Sequence, residues 1–152
     1  MHTFVLKSKI MFDISHLHPM VVHFPIAIII VGFLADLGSM VFTKEKCLSR
    51  MGFYLEILGM LAAIVAFGTG YFLTSEMEGE AGIVRNHHEL FATLTLITII
   101  VACLFRILLV YLNKEETKLK YAAMGLFLLA VVFVGITGYI GGNLVMNYMI
   151  GI

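Results

Sequence analysis

Apolar residues run almost unbroken through four stretches of the chain, and polar residues collect in the three segments between them. The stretches are about 21–42, 53–73, 90–112 and 121–140. At about 1.5 Å per residue each is long enough to cross a hydrocarbon layer of about 30 Å as a helix. The intervening segments are "TKEKCLSRM", "TSEMEGEAGIVRNHHE" and "NKEETKLK". Connections this short favour antiparallel neighbours. The pattern therefore predicts an all-α integral membrane protein, an up-down four-transmembrane-helix bundle. Residues 16–152 form one such domain. Residues 1–15 read as an interfacial N-terminal segment, because they lack the apolar core and small-residue cleavage site of a signal peptide. A start at Met11 fits the sequence as well as one at Met1.

Composition agrees with the pattern. Of 152 residues 61% are hydrophobic and 13% charged, and mean hydropathy is +1.00. Soluble domains carry about twice that share of charge. The net charge is zero, so nothing supports a nucleic-acid partner. Cys47 and Cys103 fall in a loop and in mid-span, which suggests neither a disulfide nor a CxxC metal site. There is no G-x-S-x-G, P-loop or HExxH motif, and no convincing pair of catalytic carboxylates. The chain reads as an electron-transfer or binding protein rather than an enzyme, with no catalytic residue assigned.

Charge sets an expected orientation. Lys44, Lys46, Arg50, Lys114, Lys118 and Lys120 flank one end of the bundle, and only Lys7, Lys9 and Arg85 flank the other. The basic end belongs in the cytoplasm. This expects a multi-pass protein of the cytoplasmic (inner) membrane, with both termini and all six histidines on the extracytoplasmic side.

A two-helix repeat shows faintly. Thr69/Gly70/Tyr71 in the second span matches Thr137/Gly138/Tyr139 in the fourth. His18 precedes Asp36, and His88 precedes Arg106, by the same about eighteen residues, roughly five helical turns, so each pair lies on one helix face. His88, Ala92, Thr95, Ala102 and Arg106 make one small or polar stripe, and Glu56, Gly59, Ala63, Ala66, Gly70 and Thr74 another. Gly135, Gly138 and Gly142 align on the last helix. Such stripes let helices pack closely in lipid. At the depth of the histidines, Gly70, Gly135 and Gly138 would also leave room for a flat cofactor.

Ionisable residues inside a membrane usually face the bundle interior and pair with one another. Arg106 is expected to pair with Asp36, Glu56 or both, fixing helix register.

The histidines form the candidate site. His18 and His23 lie near the outer end of the first helix, and His87 and His88 near that of the third. These helices run in the same direction, so the four meet at one level. His88 shares the interior stripe, whereas His87 lies about 100° away around the helix. An unbroken first helix would put His18 inward, but Pro25 disrupts helices, and a helix beginning there would favour His23. The ligand set His88 with His18 or His23 suits a b-type haem, with small residues beside the macrocycle. Copper or zinc is the alternative, with Met20, Met146 and Met149 as soft donors.

The segment "HPMVVHFPIAIIIVGFLAD" (His18–Asp36) resembles the HP-x-x-VHFPIAL opening of an uncharacterised bacterial membrane family, domain of unknown function 2231. The tail "TGYIGGNLVMNYMIGI" (Thr137–Ile152) resembles that family's closing T-G-x-x-G-G-x-L-V-x-x-x-G-V-G-V, except that Met149 and Ile150 replace Gly-Val. The resemblance covers the chain from about His16 onward. It carries over His18, Pro19, His23 and Pro25 in the opening, and Thr137, Gly138, Gly141, Gly142, Leu144 and Val145 in the tail. It implies a four-helix membrane protein and supplies no activity. The functional expectation rests on the residues: a small cytochrome b-like protein exchanging electrons with a quinone or an extracytoplasmic redox protein. The other readings are a non-catalytic membrane subunit with structural histidines and a copper or zinc site. A homo-oligomer is compatible with either.

Overall fold

The computed structural model describes residues 17–74, 76–115 and 118–148. The N-terminal segment 1–15, His16 and Met149 lie outside these. A short helix α1 (Leu17–Val21) leads into α2 (His23–Val41), followed by α3 (Lys46–Leu73), α4 (Gly79–Tyr111) and α5 (Leu119–Tyr148). Together α1 and α2 make the first span. All four spans are long and apolar enough to cross a membrane. The protein is an all-α four-helix membrane bundle.

The break at Val22 follows from Pro25. A proline has no N–H to offer the carbonyl four residues back, and its ring crowds that carbonyl. The carbonyl concerned belongs to Val21, where α1 ends. The Val22 N–H still bonds the His18 carbonyl at 3.1 Å, so the chain bends without leaving the helical path. Pro25 itself is buried.

The helices exceed the apolar runs at both ends. At 28–33 residues, α3, α4 and α5 span roughly 42–50 Å. Residues 79–89, which the polarity pattern assigned to a loop, are the first turns of α4. That correction places His87 and His88 on a rigid helix above the apolar layer. Termination of α4 is local: Asn113 takes a left-handed φ of 54°. Its N–H bonds the Val110 carbonyl at 3.0 Å, and the Lys114 N–H bonds that of Leu109 at 2.8 Å. This is the Schellman arrangement that satisfies the last carbonyls of a helix.

In the bundle, α2 lies along α3 and α4 along α5, and the two hairpins meet through α3–α4 and α2–α5. The first and third spans therefore stand diagonally across the axis. Between them sits a small, dry core of Ile29, Ala63, Ile99, Ala102, Phe127, Ala130 and Val134. Large apolar side chains point outward, among them Phe72 and Tyr111 at 79% and 81% exposure. So much exposed apolar surface would aggregate in water, but it is the natural lipid face of a membrane protein.

The interior stripes of the second and third spans face inward as the sequence indicated, and the first span buries a face of its own. Pro25, Gly32 and Asp36 are buried, as are Glu56, Gly59, Ala63 and Ala66 and Thr95, Ala102 and Arg106. The fourth span is a correction. Its inward face runs through Ala123, Phe127, Ala130, Val134 and Leu144, while Gly135 and Gly142 are exposed. In lipid both faces of a helix are apolar, so glycine positions alone did not reveal the phase.

Candidate functional site

Two polar centres lie on the bundle axis, one at each end, and both join the first span to α4. At the end carrying Gly79, His18 and His88 face each other with ring centroids 6.2 Å apart and planes at 81°. Both side chains are half-buried, whereas His23 and His87 are exposed. Of the two histidines left open on the first helix, His18 is therefore the one brought to His88. The bend at Val22 does not turn His23 inward.

Each ring is seated on a glycine of the helix beside it. A Cβ added to Gly70 would stand 2.8 Å from His18 Cε1, and one added to Gly141 would stand 3.0 Å from His88 Cε1. Real Cβ atoms almost never come as close as the first of these distances, so only glycine lets the imidazole press onto the helix backbone. The sequence reading gave Gly70 the task of leaving space for a cofactor, but the His18 ring fills that space. Gly138 would meet Ile26 Cδ1 at 3.1 Å, and Gly135 has no neighbour within 4 Å. Gly141 was missed as a site residue. It is already present in the closing G-G of the tail motif, but the apolar pattern did not separate it from Gly142.

The hydrogen bonds fix both tautomers. Thr69 Oγ1 donates to the Ala66 carbonyl at 2.8 Å. Its oxygen is therefore free to accept from His18 Nδ1, 3.1 Å away. His88 Nδ1 lies 3.2 Å from the Thr137 carbonyl oxygen, which can only accept. Both rings thus carry their proton on Nδ1 and present the Nε2 lone pair. Metal-binding histidines are held in the same way, the distal nitrogen oriented by a carbonyl or similar acceptor. Thr69 and Thr137 are the matched threonines of the two T-G-Y segments, so the repeat supplies an orienting group to each histidine.

Donor count limits what the pair can hold. Among the described residues no three of His, Cys, Asp and Glu converge on a common point. Met20 and Met146 are 57% and 65% exposed. Zinc takes three or four protein ligands, whereas haem iron takes its remaining one or two axial ligands from the protein. Two imidazoles bound to one metal at about 2.0–2.1 Å each have ring centres roughly 6 Å apart. A single metal held by both rings would match this separation, whereas of the glycines first assigned to a macrocycle Gly70 is covered by His18, Gly138 by Ile26, and Gly135 has no neighbour within 4 Å.

At the opposite end, the buried Arg106 reaches across to Asp36. Nη1 bonds Asp36 Oδ2, and Nη2 bonds Asp36 Oδ1 at 2.8 Å, a two-pronged pair. Nη1 also meets Glu56 Oε2 at 3.4 Å, Nη2 the Ser49 carbonyl at 3.1 Å, and Nε the Glu115 Oε1 at 3.4 Å. Arg106 thus joins both carboxylates named from sequence, together with Glu115 and Ser49, which sequence did not show. Gly52 makes room here, since a Cβ on it would stand 3.0 Å from Asp36 Cβ.

Fold and site together define a four-helix integral membrane protein with a paired-histidine centre near one face and a buried ion-pair centre near the other. A family model described as predicted membrane protein (DUF2231) matches residues 15–152, and the chain belongs to that family. Neither a curated protein nor a solved structure matches the chain.

Proposed function

We propose that His18 and His88 are the two protein ligands of one redox metal centre, a b-type haem, held near the extracytoplasmic face of the inner membrane. The observation that carries this reading is the ring pair itself: two half-buried imidazoles from different spans face each other with centroids 6.2 Å apart, each anchored through Nδ1. A haem supplies one-electron chemistry. His18 and His88 would hold it, with their rings positioned by Thr69 and the Thr137 carbonyl and packed on Gly70 and Gly141. Burial and ligand identity tune such a centre, and the partner would be a quinone or an extracytoplasmic redox protein. The reduced-minus-oxidised spectrum of protein purified from haem-replete cells tests the reading. Soret and α bands that vanish in His88→Ala support it, and a colourless, metal-free protein assigns the histidines a structural role.

A second reading has its own support. Gly70 is covered by the His18 ring and Gly138 by Ile26, which favours a bare copper ion over a macrocycle at this spot. Elemental analysis of the same sample separates the two.

The proposed orientation rests on the six lysines and arginines flanking the α2–α3 and α4–α5 connections, which belong in the cytoplasm. The histidine pair is then extracytoplasmic and the Arg106 centre cytoplasmic.

A further inference from the structure

Glu56 is 1% exposed, and its Oε1 is the one buried side-chain polar atom among the described residues without a hydrogen-bond partner. The other oxygen, Oε2, has a single long contact, 3.4 Å to Arg106 Nη1. The guanidinium is already engaged by Asp36, which takes both prongs. Its remaining N–H groups go to the Ser49 carbonyl and to Glu115. Arg106 therefore faces three carboxyl groups, one positive charge among Asp36, Glu56 and Glu115.

The other groups packed around Glu56 bring no compensating charge. On α4, Cys103 is buried and lies beside Glu56 and Arg106. From α5, Lys120 Nζ stops at Ser49 Oγ, 3.3 Å, and Ser39 Oγ, 3.5 Å. From the α4–α5 connection, Glu115 adds negative charge. An ionised Glu56 would be a second buried anion beside Asp36, with one oxygen bare. Burying an uncompensated charge costs far more than burying a neutral polar group.

We propose that Glu56 is a proton-binding site: a neutral carboxylic acid at rest that exchanges its proton with water at the basic end of the bundle. The reaction is protonation of a carboxylate, with no electron moved. Glu115, whose side chain is 37% exposed and bonded to the same Arg106, connects the site to that end. On the other side, the dry core of Ile29, Ala63, Ile99 and Phe127 separates Glu56 from the histidine pair. The site is therefore independent of what those histidines bind.

Infrared spectroscopy of the purified protein at neutral pH reads the proton directly. The expected result is a carboxylic-acid carbonyl stretch that shifts in D2O, moves on labelling with 13C-carboxyl glutamate, and is absent from Glu56→Gln. Labelling with 13C-carboxyl aspartate is expected to leave it in place. Glu56→Gln, which copies the neutral acid, keeps its folded yield, whereas Asp36→Asn loses it. Absence of an acid band that responds to glutamate labelling in the wild-type protein overturns the proposal. So does a Glu56→Gln variant as destabilised as Asp36→Asn. The labelling arm needs no variant to fold.

Discussion

The imidazole of His18 is held by two small residues, and each should matter in its own way. Thr69 fixes the tautomer through Nδ1. Thr69→Val keeps the side-chain shape and removes the acceptor. Loss of such an orienting group typically lowers metal affinity about 10–100-fold, so titration of the apoprotein should show weaker binding with an unchanged helical circular-dichroism spectrum. Gly70→Ala places a methyl 2.8 Å from His18 Cε1. The ring must swing away, with an overpacking cost of about 1–3 kcal/mol. Thermal melting should show that loss together with loss of the metal signal, whereas Gly135→Ala, at an exposed position with no neighbour within 4 Å, should change neither. At the other end, Arg106→Leu leaves Asp36 buried without its partner. Removing one member of a buried ion pair costs about 3–5 kcal/mol, so the yield of folded protein in mild detergent should collapse. An undiminished yield would show that the pair is dispensable to the fold.

Among the elements, the first span shows what periodicity can and cannot reveal. Its apolar run was plain, and Pro25 marked a disruption, but helix phase alone did not choose between His18 and His23. The answer comes from α3, whose Thr69 and Gly70 receive the His18 ring. Those are tertiary facts, invisible within one helix. The same limit applied to α5, where Gly135, Gly138 and Gly142 aligned on the sequence yet Gly141 makes the contact. The Arg106 pairing was legible because a buried cation in lipid has few possible partners. Start and end positions were less legible, since polar residues 79–89 continue α4 above the apolar layer. A test at this scale is Pro25→Ala. It restores an N–H within reach of the Val21 carbonyl and should straighten the α1–α2 junction. The expected outcome is a folded bundle whose His18 still meets Thr69, because an unbroken first helix also puts His18 inward, read as unchanged metal binding; weakened binding would show that the break at Val22 sets the phase.

For the whole molecule, the hairpin of the first span and α3 packs against the hairpin of α4 and α5. Both polar centres join the first span to α4: His18 with His88 at one end, and Asp36 with Arg106 at the other. The two ends of the sequence match differ in chemistry, since His18 bonds the Thr69 side chain and His88 the Thr137 carbonyl. The proposed cytoplasmic placement of the ion-pair end can be checked with native cysteines. Cys47 is exposed at the start of α3, and Cys103 is buried. A membrane-impermeant maleimide should label Cys47 in inverted membrane vesicles and leave it unlabelled in intact spheroplasts. The opposite pattern would reverse the topology.

The central claim is that His18 and His88 together hold one b-type haem. Its most direct test is the reduced-minus-oxidised absorption spectrum of the protein purified from haem-replete cells, beside four single alanine variants. A b-type haem should give Soret and α bands in the wild type, in His23→Ala and in His87→Ala, whose histidines are exposed. Both bands should be lost in His18→Ala and His88→Ala. Bands that survive in either of those two variants, or a wild-type protein without bands, would contradict the account.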